Sequence, residues 1–525
     1  MLGWTNAPSM RPTSTAPGPL PGSAEPIWLK PTIAGITNDS RRVRPGFLFV
    51  CVRGFKDDGH RYVPEALERG AAAVIVEHPL SRPVPVPVIR VPDARKALAW
   101  TSARFYDHPS TRLTLIAVTG TQGKTTTAYL IEGILRQAGI RTGLIGTVVQ
   151  RVGEWEERSL LTTPESLEIQ HLLAESLRAG VTHVVMEVSS HALALHRVDG
   201  CDFDIAVFTN LTSDHLDLHR TRRRYLHAKA SLFSQLGSDP AKCAVVNLDD
   251  PVSGQILEAT RCRILTYSCR RDAAVTAGDV ATGLRALDFR AYTPRGERPI
   301  RMRLTGGFNV SNALAALGVG LCLGFDLETI ARGLESVASV PGRFELVEAG
   351  QDFLVIVDFA HTAAAMEHLL RTTRACAPGR LITVFGCPGE RDKTKRPLIG
   401  QVVSRLSDHA ILTTDNPASE DPLAIAREIE AGLRRARRPG AYEVILDRAE
   451  AIARAVSLAR PGDAVILAGK GHEEYQIMKT GLVPFSDREV ARTALALQKR
   501  MASAIAPAPQ PAVTSGPSAP ATSKG

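Results

Sequence analysis

No apolar run in this 525-residue chain approaches the roughly 20 residues that a membrane-spanning helix needs, so helical membrane insertion is excluded. The eight cysteines, at 51, 201, 243, 262, 269, 322, 376 and 387, form no C-x-x-C pair and keep no regular spacing. That predicts reduced, buried thiols in a cytoplasmic protein. Aromatic residues are only 5% of the chain and do not interleave with basic ones, so the net charge of +9 favours phosphorylated small molecules over nucleic acid as partners. Both ends lack anything to bury. Residues 1–26 are rich in Pro, Ser and Thr without a continuous apolar segment and read as a disordered leader, not a secretory signal; residues 504–525 read as a disordered tail.

What remains is too long for one core, and two to four domains are expected. Residues 27–110 mix short strands and helices into a small α/β domain. The Pro-interrupted stretch 78–93 cannot be a central strand throughout. Residues 111–340 alternate apolar strands such as "THVVMEVSS" and "FDIAVFTNL" with helical patterns, which implies a largely parallel sheet covered on both faces. From 341 to 503 the alternation restarts as a second doubly wound, Rossmann-like sheet with no G-x-G-x-x-G of its own. Ligands of such sheets bind at the carboxyl ends of strands, which singles out Asp358, His361, Asp415, Asn416, Lys470, His472 and Glu473.

The first Gly of the general phosphate-loop pattern is also missing, since Val118 stands where it belongs. The shortened loop "TGTQGKTT", over Gly120, Thr121, Gly123, Lys124, Thr125 and Thr126, keeps the working parts. Backbone N–H groups and a helix N-terminus cradle phosphate oxygens, Lys124 supplies a point charge, and the Thr125 hydroxyl can hold Mg²⁺. Downstream, Glu187 ends one buried strand, while Asn210 and His215 follow another. A carboxylate and a histidine near a phosphate loop could be metal ligands or ordinary hydrogen-bonded structure. Lys229, on a helical stretch, reads bare as a solvated or salt-bridged lysine.

"TGTQGKTTT", "MEVSSHAL", "FTNL" with "DHLD", and "YLHAKASLF" together resemble the Mur ligase family in order and spacing, with motifs across nearly the whole ordered chain. The resemblance implies a three-domain fold: a small N-terminal α/β domain, a central ATP-binding parallel sheet and a C-terminal Rossmann-like domain that takes the amino acid. It implies ATP, two Mg²⁺ ions, Glu187 and His215 as ligands of the second ion, and a carbamoylated Lys229, with Lys124 completing the catalytic set. A carbamate turns a cation into a carboxylate-like group, which suits a metal site. Asn309 and Asn312 would lie near the adenine, Arg343 near the ATP, and Asp358 at the ribose. Thr162, Thr163, Ser189 and Arg197 would contact the muramoyl dipeptide, and Ser40, Phe55 and Lys56 the uridine nucleotide. That nucleotide domain, with "DFAHT" and "GCPGERDKTKRP", resembles the MurE type, which makes a UDP-N-acetylmuramoyl tripeptide for peptidoglycan. The substrates implied are UDP-N-acetylmuramoyl-L-Ala-D-Glu and a diamino acid, handled by a cytoplasmic monomer.

The amine is the open choice. Arg391, Asp415, Asn416, Gly469 and Glu473 would line its pocket. Relatives that use meso-diaminopimelate typically read D-N-P-R where this chain has Ala418. A guanidinium is the natural bidentate partner of a second carboxylate. Without it, Asp415 and Glu473 favour the terminal ammonium of lysine or ornithine, and that is the expectation. Two rivals are another Mur-type or polyglutamate-type ligase, and a phosphate-loop ATPase regulator that would need neither acyl acceptor nor amine.

Overall fold

The computed structural model describes residues 33–54, 57–212, 216–283, 286–435 and 441–505, and the chain falls into two compact units that divide after Val340. The leader, Phe55, Lys56, His215 and residues 506–525 lie outside the described residues.

In the first unit, a parallel sheet runs β1 (Gly35–Thr37), β2 (Phe47–Val50), β3 (Ala71–Val76), β4 (Val88–Arg90). The Pro-rich stretch supplies only β4, at the edge, where a proline removes no ladder bond. The same unit holds an 11-stranded sheet built from β5 (Thr114–Thr119), β6 (Thr142–Ile145), β7 (Val149–Val152), β8 (Trp155–Arg158), β9 (His183–Glu187), β10 (Ile205–Phe208), β11 (Cys243–Asn247), β12 (Arg263–Ser268), β13 (Val275–Thr282), β14 (Leu287–Thr293) and β15 (Gly296–Met302). Its order is β15-β14-β13-β12-β11-β10-β5-β9-β6-β7-β8. The middle, from β13 to β6, is parallel throughout, and antiparallel ribbons extend both ends.

Period-two alternation divides β5 between two cores. Ile116 and Val118 face the helix Lys124–Gln137, while Leu115 and Ala117 pack with Leu172 and Leu173 of the helix Ser166–Arg178. The chain leaves β5 at Thr119, turns through the phosphate loop, and enters Lys124–Gln137 at once. Cys243 on β11 is joined to Cys322, the last residue of the helix Phe308–Cys322, and six cysteines are free. This corrects the expectation of reduced thiols throughout. The two lie 79 residues apart and meet only because that helix packs on the sheet, which spacing cannot reveal.

The second unit's sheet comprises β16 (Glu345–Leu346), β17 (Leu354–Asp358), β18 (Leu381–Phe385), β19 (His409–Leu412), β20 (Ala441–Val444) and β21 (Ala464–Ala468), in the order β16-β17-β21-β18-β19-β20. All pairs but β16–β17 are parallel. A separate hairpin, β22 (Tyr475–Met478) with β23 (Gly481–Pro484), follows. The fold class read from the sequence is therefore the fold observed: a small α/β layer, a central parallel sheet behind a phosphate loop, and a Rossmann-like C-terminal sheet.

The helix that carries the phosphate loop is set by an unusually close helix contact. A Cβ on Gly333, in the helix Leu327–Ser336, would sit 2.4 Å from the Ile134 Cα. Backbone cannot yield as a flexible side chain can, so Gly333→Ala is expected to destabilise by about 1–3 kcal/mol. Thermal unfolding of the purified variant checks this, and an unchanged midpoint would refute it.

Candidate active site

The loop between β5 and its helix is held open by its neighbours. The Gln122 N–H donates to the Asn210 side-chain oxygen at 2.9 Å, and Thr209 and Asn210 donate to the Gln122 carbonyl at 2.6 and 3.1 Å. Thr121 donates its N–H to the Asn210 carbonyl, and its hydroxyl meets the Tyr225 hydroxyl at 2.9 Å. Gly123 caps the helix at φ +84°, and a Cβ there would lie 2.4 Å from the Asn312 Oδ1. Asn312 in turn donates to Asn309, which donates to the Thr305 carbonyl. The two asparagines expected near a nucleotide base thus brace the phosphate loop through a buried relay. Lys124 Nζ folds back onto the carbonyls of Gly120 and Thr121 at 3.0 and 2.9 Å. Thr126 is buried behind it.

Glu187, at the end of β9, is 1% exposed and fully engaged. Its carboxylate accepts from the Thr125 hydroxyl at 2.9 Å and from the N–H and hydroxyl of Thr147 at 2.8 and 3.0 Å. The Thr147 hydroxyl also meets that of Thr162 at 3.2 Å. Thr147 was missed by sequence reasoning, because a threonine between β6 and β7 carries no motif. Lys229 is buried as well. Its ammonium donates to the Gly120 carbonyl at 2.7 Å and lies 4.9 Å from the centre of the Tyr225 ring. Tyr225, touching both the loop and Lys229, is a second residue that the sequence did not single out.

Around this core, the Thr163 hydroxyl bonds the Glu187 carbonyl at 2.8 Å and Ser189 at 3.1 Å, and Ser189 caps the following short helix. Arg197, expected to face an anionic substrate group, spends its guanidinium on the Thr163 carbonyl at 2.9 Å and the Glu165 carboxylate at 2.7 Å. In the small α/β layer, Ser40 donates to Glu65 at 2.7 Å.

Thr125 and Glu187 together offer hydroxyl and carboxylate oxygens, a donor set that fits a hard cation such as Mg²⁺. Lys229 fits only if its nitrogen loses its charge, as in a carbamate. One other group among the described residues, Asp58, His60 and His78, brings three possible ligand atoms within 4.8 Å. His60 is already used at both nitrogens, by Asp58 at 2.6 Å and by the Glu77 N–H at 2.9 Å, so this group is a structural tie.

In the second unit the polar strand ends form their own cluster. Asp358 accepts from the N–H groups of Phe344 and Ala360, both at 2.8 Å, and burial pushes its carboxyl up against the pull of Arg343. Arg343 lies over the Phe359 ring at 4.8 Å. Lys470, wholly buried, donates to Asn416 at 3.0 Å and Glu473 at 2.9 Å, and Asn416 donates to Glu473 at 2.8 Å. Asp415 lies beneath Gly469, whose Cβ would come within 2.6 Å of its carboxylate. Burial raises the Asp415 carboxyl, opposed by Arg448 and Lys470. Glu473 is thus already paired inside the protein, and Asp415 lies in the field of internal cations. Arg391 is exposed, on a loop that donates the Gly389 N–H to the Asn416 carbonyl.

Family models match most of the chain: the Mur ligase middle domain over residues 118–320, the Mur ligase glutamate ligase domain over 342–471, and the Mur ligase family catalytic domain over 32–106. The UDP-N-acetylmuramoyl-L-alanyl-D-glutamate–2,6-diaminopimelate ligase of Geobacillus thermodenitrificans is 48% identical over 484 residues, covering 91% of this chain and 97% of that protein. The ligase of the same name from Geobacillus kaustophilus is 49% identical over the same length. A solved structure of a ligase so named superimposes with a TM-score of 0.65 at 32% identity, over 91% of this chain and 97% of the other. The MurF ligase of Thermotoga maritima in complex with ADP shares the fold, with a TM-score of 0.61 at 20% identity.

Gly123 is the loop position where both backbone and neighbour demand glycine. Left-handed strain of roughly 1–2 kcal/mol, together with displacement of Asn312, predicts that Gly123→Ala weakens MgATP binding at least about tenfold. Calorimetric titration measures this; unchanged affinity would show that the loop does not hold the nucleotide.

Proposed function

The chain belongs to the Mur ligase family, and from that premise we propose that it is a MurE-type enzyme that joins 2,6-diaminopimelate to the D-Glu carboxyl of UDP-N-acetylmuramoyl-L-Ala-D-Glu in peptidoglycan precursor synthesis. ATP-dependent amino-acid ligation is the family's activity, and ATP with Mg²⁺ its general requirement. The observation that carries the finer reading is identity of 43–49% to eight ligases that all bear that name, over 87–91% of this chain. Among the described residues no helix is long and apolar enough to cross a membrane.

In this reading a D-Glu carboxylate oxygen attacks the γ-phosphorus of ATP, which releases ADP and leaves an acyl phosphate. The amine of the amino acid then attacks the acyl carbon, and the tetrahedral adduct loses phosphate and a proton to give the amide. Lys124 and the N–H groups at Gly123–Thr126 hold the transferring phosphate, which is where charge develops. Thr162, Thr163 and Ser189 orient the acyl acceptor so that its carboxylate is aimed before ATP reacts. Arg197, tied to that loop through the Thr163 carbonyl and Glu165, faces the anionic group of the substrate. Asn309, Asn312, Arg343 and Asp358 serve the nucleotide, and Ser40, Phe55 and Lys56 the uridine end. Magnesium, when bound, neutralises phosphate charge; Thr125, Glu187, His215 and a carbamoylated Lys229 are the residues for the two ions.

The expectation of lysine or ornithine is corrected by the same relatives, every one of which is named for 2,6-diaminopimelate. The physical reason lies in the amine itself. Diaminopimelate carries an ammonium beside its second carboxylate, so acids that suit an ammonium do not select against it. Ala418, whose N–H donates to the Ile477 carbonyl at 2.8 Å, marks the absence of one clamp and no more. Arg391, Asp415, Asn416, Gly469 and Glu473 remain the residues we assign to this amino acid.

With ATP, Mg²⁺ and the UDP-muramoyl dipeptide fixed, phosphate release is expected to depend on diaminopimelate, with lysine and ornithine at least about 100-fold poorer in kcat/KM. Equal use of all three would remove the assignment of the amine but not of the ligase. Lys229→Ala is expected to lower turnover by roughly 100-fold or more, with partial recovery on adding bicarbonate or acetate, either of which can stand where a carbamate would. Ordinary turnover in that variant would sink the proposed role of Lys229.

A further inference from the structure

Arg448 and Asp487 are both wholly buried and face each other as a two-point ion pair, Nε to Oδ1 at 2.7 Å and Nη2 to Oδ2 at 2.6 Å. Neither residue was singled out by a motif. Arg448 opens the helix Arg448–Leu458 and Asp487 opens the helix Asp487–Ile505. The guanidinium has donors left over, and they go to the carbonyls of Ala468 at 3.1 Å and Thr414 at 3.4 Å. Ala468 is the last residue of β21, and Thr414 lies just beyond β19. The next residues along each chain are Gly469–Lys470 and Asp415–Asn416.

A fully buried ion pair is a poor device for stability alone, because two well-packed apolar residues commonly do as well. A planar guanidinium does what apolar residues cannot: it fixes several acceptors in one plane at set distances. We propose that the Arg448–Asp487 pair is a positioning element for amino-acid specificity, pinning the ends of β19 and β21 so that Asp415, Asn416, Gly469 and Lys470 meet the incoming amino acid in one arrangement. This rests on the assignment of those residues to the amino-acid pocket. Asp487 holds the guanidinium; the guanidinium holds the two carbonyls; the carbonyls set the two loops. The loops then lock to one another, through Lys470 on Asn416 and through Gln476, which donates to the Asp415 carbonyl at 2.9 Å. Arg448 is also the strongest attraction on the Asp415 carboxyl against the upward push of burial, so it favours the charged form.

The test compares two forms of the full-length enzyme with wild type: the double variant Arg448→Met/Asp487→Leu, which refills the space with apolar side chains, and Arg448→Lys, which keeps a charge but loses the fork. Steady-state phosphate release gives KM separately for diaminopimelate, ATP and the UDP-muramoyl dipeptide. Both variants are expected to raise the diaminopimelate KM at least about tenfold, with the other two KM values within about twofold. A folded double variant with an unchanged diaminopimelate KM overturns the proposal, since packing alone would then suffice. If the double variant does not fold, Arg448→Lys decides by the same split. If wild type prefers another amine, the substrate assignment fails separately and the KM for that amine is the one compared.

Discussion

The catalytic edge of the first unit is organised by one carboxylate that has no water to rely on. Glu187 is buried at the end of β9, where an ionised group without donors is strongly disfavoured. Its needs are met by three segments that are distant in sequence: the turn at Thr147, the first helical turn at Thr125, and, through its own carbonyl, the Thr162–Thr163 loop. Satisfying one group therefore fixes the phosphate loop, a metal-ligand candidate and a candidate substrate loop relative to one another. The fold itself supplies these donors, which is the condition for electrostatic preorganisation. Thr125 is shared in this scheme. Its hydroxyl serves Glu187 now and would turn to Mg²⁺ with nucleotide bound, leaving Thr147 to hold the carboxylate through two donors.

Lys229 and Lys124 meet the same constraint from the cationic side. Both ammonium groups donate to the Gly120 carbonyl, so each is satisfied by backbone of the loop that is to receive phosphate. Phosphate oxygens are stronger partners for Lys124 than a neutral carbonyl. Lys229 differs, for it is 1% exposed and tied to the loop from behind, over the Tyr225 ring. Conversion to a carbamate would reverse its charge, break its donation to Gly120 and free that carbonyl. The chemistry assigned to Lys229 would thus also change what holds the phosphate loop.

The parts of this molecule that were legible in the sequence are those written locally. Buried parallel strands are continuous apolar runs, and β5, β9, β17, β18 and β21 stand out for that reason. The phosphate loop is legible because glycine, lysine and threonine must be adjacent to do their work. Illegible were the pairings made by the fold: Thr147 with Glu187, Tyr225 with Thr121, Cys243 with Cys322, and Arg448 with Asp487. The antiparallel ribbons β7–β8 and β13–β15 also went unread, since half-exposed strands such as Val275–Thr282 carry little apolar signal. Arg197 is legible by position; what the sequence does not show is that its guanidinium also ties the Thr163 carbonyl to the Glu165 carboxylate.

Amine selection fails to be local in a more instructive way. A missing Arg at position 418 looked decisive because a second carboxylate needs a cation. Specificity, however, is a difference between two whole binding free energies, to which no single position is owed a veto. Lys470 pairs with Glu473 and Arg448 with Asp487, while burial raises the Asp415 carboxyl against the pull of both cations. An ammonium beside Asp415 would favour its charged form, and lysine, ornithine and diaminopimelate all carry one. Discrimination must then come from geometry at the distal carbon, where only diaminopimelate has a carboxylate to place. The amino-acid pocket proposed above, with walls locked by Asn416, Lys470 and Gln476, can discriminate by shape and by groups that would be left unpaired, without the guanidinium that the motif led one to expect.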